Sequence, residues 1–251
     1  MVGMGLPGEG RVKRLLEALS AWLRARARVR VLVLGDSHVR VFEHWLFLVG
    51  MPRTAFEVEY VAGATASGMG NRKSISGAYR RFSERLATTP HDLVLLNLGE
   101  VDTAYTIWRR ADLKGIEVDT MFEMALRNYV QFIDEIASSH RLVVLSAPLP
   151  TLSDQVVNPD PEVKMRQHVS ASQLDRTRLA LRFNARIAEF CAQRGVPCLS
   201  SDAAALGPDG VVRSGWRRRD RPDHHYARLP YAWWLVRALR GLRHPDGMLL
   251  R

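Results

Sequence analysis

Cysteine is scarce in this chain of 251 residues, and long apolar runs are absent. The two cysteines, Cys191 and Cys198, are too few for a disulfide framework and cannot form a zinc site by themselves. No run resembles the apolar core of a signal peptide or approaches the length of a membrane span, so we expect no stable membrane insertion. These absences together lead us to expect a cytoplasmic protein.

Lysine is also scarce, and arginine supplies nearly all of the positive charge. Four of the 36 basic residues are lysines, the other 32 are arginines, and the formal net charge is +10. A basic protein attracts phosphates, anionic membranes and acidic substrates. The arginines are dispersed, however, and only residues 216–221 form a dense run, without the interleaved aromatic residues of a single-strand binding groove. We therefore expect no nucleic-acid partner and favour codon usage as the origin of the charge.

The rest of the composition, 47% apolar and 25% charged, is that of an ordinary globular protein. Because no internal repeat or low-complexity linker divides the chain, we interpret residues 29–251 as one domain, preceded by a tail and helix over 1–28. Residues 11–28 predict a basic amphipathic helix with one apolar stripe: Val12, Leu15, Leu16, Leu19, Trp22 and Leu23. Such a helix can lie on an anionic membrane, but we favour packing against a sheet.

Apolar strands alternate with helical stretches along this domain. A β-branched run over 29–35 predicts a buried strand, and further strands are predicted near 56–62, 92–98, 142–147 and 196–200. Helices are predicted near 38–49, 74–87, 118–139, 170–194 and 227–242. This alternation predicts a three-layer α/β/α sandwich around a five-stranded parallel sheet, with the flavodoxin-like strand order 2-1-3-4-5.

Polar segments follow the strands, where the active sites of such sheets lie. The segment Gly35-Asp36-Ser37-His38 joins the first strand to an apolar helical stretch. A serine at such a turn presents its hydroxyl at the sheet edge, and the helix N-terminus beside it offers free N–H groups for an oxyanion. The sequence therefore makes Ser37 a candidate nucleophile; a helix N-cap is the equally balanced alternative.

Four short segments, in order, resemble the blocks of the GDSL/SGNH hydrolase family. They are Leu34-Gly35-Asp36-Ser37-His38, Ala62-Gly63-Ala64-Thr65, Gly99-Glu100-Val101-Asp102 and Asp223-His224-His225. The resemblance implies a flavodoxin-like esterase fold and Ser37 as the nucleophile of an acyl-transfer reaction. It also implies Gly63 as an N–H donor to the oxyanion and an Asp-His pair in the last block.

Two departures from the family pattern stand out. Val101 occupies the place of the third-block asparagine, so one oxyanion donor is missing or supplied elsewhere, by Asn71 or Asn97. Loss of one such donor commonly costs about two to three orders of magnitude in rate. Glu100 and Asp102 are then free to bind a substrate hydroxyl or an arginine, and some branches of the family carry Gly-Glu-Val-Asp here.

The second departure is the spacing of the last block. The family places the histidine three residues after the aspartate, but the third residue after Asp223 is Tyr226. We assign His225 as the base and Asp223 as the residue that orients it, with His224 as the alternative. Asp36 and His38 join the substrate-binding set because they flank Ser37, although His38 can equally point away from the pocket.

Other functions remain open at this stage. Gly-Asp-x-His also begins a metallophosphoesterase motif, but the further motifs of that family are absent. An acyltransferase would use the same acyl-enzyme, with the loop from 149 to 168 as a lid that excludes water. A binding protein that has lost activity is the third alternative, for which Val101 is the only indication.

We predict a serine esterase acting on a small-molecule or glycan ester, such as an O-acyl group on a carbohydrate or secondary metabolite. It requires no metal and no organic cofactor. The arginines of 108–110 and 216–221 are interpreted as solvated side chains, and the sequence indicates no oligomeric state.

Overall fold

The computed structural model describes residues 27–72, 76–154, 169–220 and 222–242. Most of the predicted N-terminal helix and of the predicted lid lies outside these residues. Five parallel strands form one sheet in the order β2-β1-β3-β4-β5: β1 Val29–Gly35, β2 Thr54–Tyr60, β3 Leu93–Asn97, β4 Leu142–Leu145 and β5 Cys198–Leu199. The predicted sheet and its strand order are confirmed.

Helices cover both faces of this sheet. They are α1 Leu46–Gly50, α2 Ala78–Thr88, α3 Ile107–Lys114, α4 Val118–Ala137, α5 Gln173–Gln193, α6 Asp202–Ala205 and α7 Arg228–Gly241. Short 3-10 helices span Ser37–Glu43, Ser67–Gly70 and Ser214–Trp216, and a π-helical turn over Asp102–Thr106 leads into α3. Within the described ranges, none of the helices is both long and apolar enough to cross a membrane.

The alternation of side chains along each strand divides the core into two layers. Leu32 and Leu34 of β1 point into a layer that contains Phe82 of α2, Phe122 of α4 and Phe183 of α5. Val31 and Val33 point the other way, where the layer is completed by residues of α1, α7 and the first 3-10 helix: Phe42, Phe47, Tyr231 and Leu235. The predicted three-layer α/β/α sandwich is thereby confirmed.

The helices of the structure differ from the prediction at two places. The single helix predicted over 38–49 is broken at His44, whose backbone is extended. The break lets Phe42 and Phe47 pack with ring centroids 4.8 Å apart, whereas residues five apart on one helix point about 140° away from each other. Helix α3 was not predicted; the arginines within it, Arg109 and Arg110, were interpreted only as solvated side chains.

Gly99 is required where β3 passes into the third-block segment. Its φ is +120°, and a Cβ atom there would lie 2.6 Å from Cε1 of Phe183 and 3.1 Å from the Ala147 Cβ. Both the backbone conformation and the lack of space exclude a side chain. This glycine lets the chain turn within the core and bring Glu100 and Asp102 to the sheet edge.

We expect Gly99→Ala to lower the free energy of unfolding by about 3 kcal/mol, from strain and overpacking together. Gly115→Ala is the matched control, because Gly115 has a positive φ of 60° but open space around its missing Cβ; it should cost about 1 kcal/mol. Urea unfolding followed by circular dichroism measures both. Equal losses in the two variants would contradict the role of the Phe183 contact.

Candidate active site

The segments that follow β1, β2 and β3 meet the loop over 222–226 at the carboxyl edge of the sheet. Parallel strands bring their carboxyl ends to one edge, which is why residues so distant in sequence come together there. The Nε2 atom of His225 lies 2.8 Å from the Oγ atom of Ser37, across 188 residues of sequence. The Nδ1 atom of the same ring lies 2.7 Å from Oδ1 of Asp223. Hydroxyl, imidazole and carboxylate thus form one continuous chain.

The carboxylate fixes the tautomer of this histidine. An ionised carboxylate only accepts hydrogen bonds, so the proton of neutral His225 resides on Nδ1 and is donated to Asp223. Nε2 is then the acceptor for the Ser37 hydroxyl proton. The arrangement can withdraw a proton from the serine as its oxygen attacks an electrophile.

A local turn allows the short spacing between Asp223 and His225. The backbone N–H of His225 donates to Oδ1 of Asp223 at 3.0 Å, and the His225 ring approaches that same oxygen. Oδ2 accepts a hydrogen bond from Arg218 at 2.9 Å, and the backbone carbonyl of Asp223 accepts one from the Thr151 hydroxyl at 2.6 Å. The carboxylate is therefore held on both of its oxygens.

These contacts keep the carboxylate charged and the imidazole neutral. Burial alone would raise the pKa of Asp223, but the hydrogen bonds from the ring and backbone of His225, with the nearby histidine charges, hold it below its ordinary value. Burial lowers the pKa of His225, as does the charge of His38, and the hydrogen bond to Asp223 only partly offsets this. A neutral imidazole at pH 7 is the form that a general base needs.

His224 is placed differently from its neighbour. Its side chain is buried, and its Nδ1 atom lies 3.7 Å from Oδ1 of Asp223. Its ring is tilted by 39° to the ring of His225, with the ring centroids 3.9 Å apart. Its backbone carbonyl oxygen lies 3.2 Å from Nε2 of His38. Of the two adjacent histidines, it is therefore His225 that is bonded to the Ser37 hydroxyl.

Asp36 and His38, the neighbours of Ser37 in sequence, are both buried. Asp36 is fully buried and caps the 3-10 helix by accepting from the backbone N–H of His38 at 2.9 Å. The cap considered for Ser37 is thus supplied by the preceding aspartate. His38 is 4% exposed, and its Nδ1 atom also lies 2.9 Å from Oδ1 of Asp36.

Asp102, which was expected to bind a substrate hydroxyl or an arginine, accepts hydrogen bonds from two backbone groups and is close enough to Arg110 to be influenced by its charge. Its Oδ2 accepts from the N–H of Ala66 at 2.6 Å and its Oδ1 from the N–H of Ser67 at 3.1 Å. Since both donors follow the second-block turn, Asp102 holds that turn in place. Glu100 is 1% exposed, and its carboxylate clusters with the ligand atoms of Asp36 and His38.

The second-block turn carries Gly63 at the surface. Gly63 is exposed and has a φ of +69°. Two residues earlier, the backbone N–H of Val61 donates to the Gly35 carbonyl at 3.0 Å. This bond ties the turn to the end of β1, next to Ser37. The position is suitable for an N–H group that faces a ligand bound at the serine.

No replacement for the third-block asparagine comes from Asn97. Its side-chain amide donates to the carbonyls of Leu145 and Ser146 at 3.3 and 2.9 Å, so it ties β3 to β4 from a buried position. Asn71, the other residue considered, is exposed at the end of the Ser67–Gly70 helix. Val101 itself is buried.

Sequence reasoning missed two residues that support the carboxylate. Arg218 was interpreted as one of several solvated arginines, but it bridges Asp220 and Asp223. Thr151 belongs to the segment after β4 and was not singled out, although it fixes the backbone of Asp223. No sequence motif marks either residue, because each acts through a contact with a residue of another segment or turn that forms only in the folded chain.

Two groups of side chains have the composition of a metal site. Asp223, His224 and His225 form one, and Asp36, His38 and Glu100 form the other; within each group the ligand atoms lie within 4.8 Å of one another. The ring nitrogens of His225 and His38 are already engaged with protein oxygens. Hydrogen bonding therefore accounts for these two rings without a cation.

We predict that Asp102 makes stability depend on pH. Burial raises the pKa of Asp102 to about 6, despite the hydrogen bonds from Ser67 and Ala66 and the charge of Arg110. A raised pKa means that the folded state binds the proton more tightly than the unfolded state does. The contribution of this proton binding to the free energy of unfolding is therefore full below pH 3.8 and is lost as the pH rises through 6. The wild type should be more stable than Asp102→Asn, and this difference in the free energy of unfolding should decrease by about 2 kcal/mol between pH 4 and pH 7.

Urea titrations of both proteins across this range measure the difference directly. The variant should be less stable at every pH, because an amide presents an NH₂ group to one of the two backbone donors. A difference that stays constant, or that grows as pH rises, would contradict the assignment.

Comparison with known proteins supports the fold. No protein-family model matches the chain, and no curated protein matches it in sequence. Among solved structures, a GDSL-like lipase from Bacteroides thetaiotaomicron superposes with a TM-score of 0.55 at 13% identity, over 88% of this chain and 92% of that one.

Two further structures are similar. A catalytic mutant of Axe2, an acetylxylan esterase from Geobacillus stearothermophilus, gives a TM-score of 0.50 at 13% identity, over 84% of this chain and 92% of that one. A gut microbial diltiazem-metabolizing enzyme gives 0.55 at 14% identity over 85% of this chain, which spans about half (47%) of that protein. The chain thus has the α/β/α fold of GDSL/SGNH hydrolases, as the four sequence motifs predicted.

Proposed function

We propose that this protein is a serine ester hydrolase in which Ser37, His225 and Asp223 act as nucleophile, general base and orienting carboxylate. The observation that carries the proposal is the unbroken chain of contacts at 2.8 and 2.7 Å from the serine hydroxyl through the imidazole to the carboxylate. It lies at the carboxyl edge of a parallel sheet, where such folds bind their ligands.

In the first half-reaction, Oγ of Ser37 attacks the carbonyl carbon of the ester while Nε2 of His225 takes the hydroxyl proton. The tetrahedral intermediate collapses when the C–O bond to the alcohol breaks, and the imidazolium gives its proton to the departing oxygen. Asp223 stabilises the imidazolium that exists between these steps. An acyl-serine remains.

In the second half-reaction, a water molecule takes the place of the alcohol. His225 removes a proton from the water as its oxygen attacks the acyl carbon, and then returns that proton to Oγ of Ser37. The products are a carboxylic acid and the free enzyme. Every proton is moved by His225, so the proposed mechanism requires no metal and no organic cofactor.

The N–H groups of Ser37 and Gly63 are the proposed donors to the oxyanion. Ser37 begins a 3-10 helix, and the turn at Gly63 is tied to the end of β1 by the Val61–Gly35 hydrogen bond. Asp102 holds the continuation of the same turn through Ala66 and Ser67. With valine at position 101, the oxyanion loses the side-chain donor that the third block usually supplies.

The proposed substrate is a carboxylic ester of a small molecule or a glycan, such as an O-acyl group on a carbohydrate or a secondary metabolite. The similar structures include an acetylxylan esterase and a GDSL-like lipase, which supports ester cleavage. Ser37 is partly exposed at the carboxyl edge of the sheet, which is consistent with attack on a substrate that binds from solvent.

A fluorophosphonate probe followed by an ester panel tests this proposal. The probe should label the wild type once, at Ser37 as located by peptide mass spectrometry, and should block hydrolysis of 4-nitrophenyl acetate. Hydrolysis rates for 4-nitrophenyl esters with acyl chains of increasing length, and for acetylated xylose, then define which acyl and alcohol parts of a substrate the enzyme accepts. Hydrolysis that survives labelling of Ser37, or that requires a divalent cation, would overturn the mechanism.

A further inference from the structure

His38 makes two contacts that together define its protonation. Its Nδ1 atom lies 2.9 Å from Oδ1 of Asp36, and its Nε2 atom lies 3.2 Å from the backbone carbonyl oxygen of His224. The Asp36 oxygen also accepts the backbone N–H of His38, and the carbonyl oxygen has no proton to give. Both ring nitrogens therefore face acceptors, and only an imidazolium can donate to both.

The surroundings favour a cation at this buried position. His38 is 4% exposed, and it clusters with the carboxylates of Asp36 and Glu100, which are 0% and 1% exposed. The Oδ2 atom of Asp36 has no hydrogen-bond partner among the described residues. Two buried carboxylates, one of which has an oxygen without a hydrogen-bond donor, are stabilised by a positive charge close to them.

We propose that His38 is a positioning residue that ties the loop carrying the base to the turn carrying the nucleophile. This inference rests on the proposed function. The hydrogen bond from Nε2 of His38 to the His224 carbonyl joins the two halves of the site across 186 residues. The bond holds the backbone of His224, which in the sequence stands between Asp223 and His225, to the segment that carries Ser37.

Further contacts hold this loop and its continuation to other segments of the chain. The Thr151 hydroxyl donates to the Asp223 carbonyl, and the hydroxyl of Tyr226 accepts from the N–H of Leu149 at 2.6 Å. The N–H of Ala227 donates to the Trp216 carbonyl at 2.8 Å. His38 connects the loop to the segment that carries Ser37. Its loss should therefore change the position of His225 relative to Ser37 more than it lowers the stability of the fold.

The same arrangement gives His38 an electrostatic influence on the base. The ring centroids of His38 and His225 are 4.6 Å apart. The charge of His38 lowers the pKa of His225, while Asp223 and Glu100 raise it. His224, which lies between Asp223 and His225 in the chain, also faces the ring at 3.9 Å. Removing the charge of His38 alone should therefore raise the pKa of the base.

Two substitutions distinguish the effect of the hydrogen bond to the His224 carbonyl from the effect of the positive charge on His38. His38→Gln places an amide N–H where Nε2 lies, so it keeps a donor toward the His224 carbonyl and removes the charge. His38→Asn is too short to reach that carbonyl and keeps only the contact near Asp36. His44→Gln, at the break after the first 3-10 helix, is the matched control.

For His38→Asn we expect kcat to fall about 10- to 100-fold with little change in KM, because the base is displaced from the serine. For His38→Gln we expect kcat within about fivefold of the wild type, and an acid limb of the kcat/KM profile that moves up by about 1 pH unit. The control should match the wild type in both. Circular dichroism melting checks that each variant is folded; if the asparagine variant does not fold, the glutamine profile decides.

Nitrogen-15 NMR of the wild type tests the protonation without any activity measurement. At pH 7 both ring nitrogens of His38 should be protonated, and those of His225 should show one protonated and one bare nitrogen. A neutral His38, or folded variants whose rates and pH profiles equal those of the wild type, would overturn the inference. Fluorophosphonate labelling of Ser37 in the wild type separates this failure from failure of the proposed function.

Discussion

Replacing Ser37 by alanine is expected to lower ester hydrolysis by roughly four to six orders of magnitude and to abolish labelling by a fluorophosphonate. The substitution removes the oxygen that lies 2.8 Å from Nε2 of His225, while the half-exposed position tolerates a methyl group. Stability should therefore change little. Initial rates with 4-nitrophenyl acetate, together with labelling followed by gel fluorescence, measure both effects.

Ser138→Ala is a suitable control for this experiment. Ser138 is exposed at the end of α4, and its hydroxyl bonds only locally, to the carbonyl of Glu135. Rate and labelling should match those of the wild type. If Ser37→Ala kept more than a small fraction of the wild-type rate, with its fold intact, the nucleophile would have to be sought elsewhere.

The second large effect is expected at the base, where two adjacent histidines provide an internal control. His225→Asn keeps an amide near Asp223 but leaves no acceptor beside the Ser37 hydroxyl, so the rate should fall by about four orders of magnitude. His224→Asn keeps the backbone carbonyl that meets His38 and should lower the rate by no more than about tenfold. Purified variants are compared in kcat/KM.

The two substitutions are chemically identical and one residue apart, so general damage to the loop should affect both. Equal losses would mean that the loop, and not the imidazole bonded to Ser37, limits the rate. A larger loss in the His224 variant would reverse the assignment of the base.

The sheet could be predicted because its signal is local. A β-branched run such as 29–35 is buried on both faces in a parallel sheet, so its apolar character alone marks it as a strand. The turn after that strand, together with the resemblance to a family, was enough to single out Ser37. The break at His44 was missed because it depends on the packing of Phe42 against Phe47, which no local pattern encodes.

The direction of the polar side chains at the edge could not be predicted. Glu100 and Asp102 follow a strand and carry charge, which favoured a role toward substrate, yet the turn at Gly99 directs them inward. The choice between His224 and His225 likewise depends on a turn in which one carboxylate oxygen receives both a backbone and a ring N–H. Such turns are set by contacts that form only after distant loops have met.

The separation of 188 residues between Ser37 and His225 has a consequence for biosynthesis. Ribosomes add about 5 to 20 residues per second, so the proposed base is made about 10 to 40 s after the proposed nucleophile. During that interval a nascent chain can form β1 and its serine turn, but it has no group to take the hydroxyl proton. Under the proposed mechanism, catalytic competence is thus delayed until all five strands of the sheet have been translated, and a chain that terminates before His225 would be inert toward cellular esters.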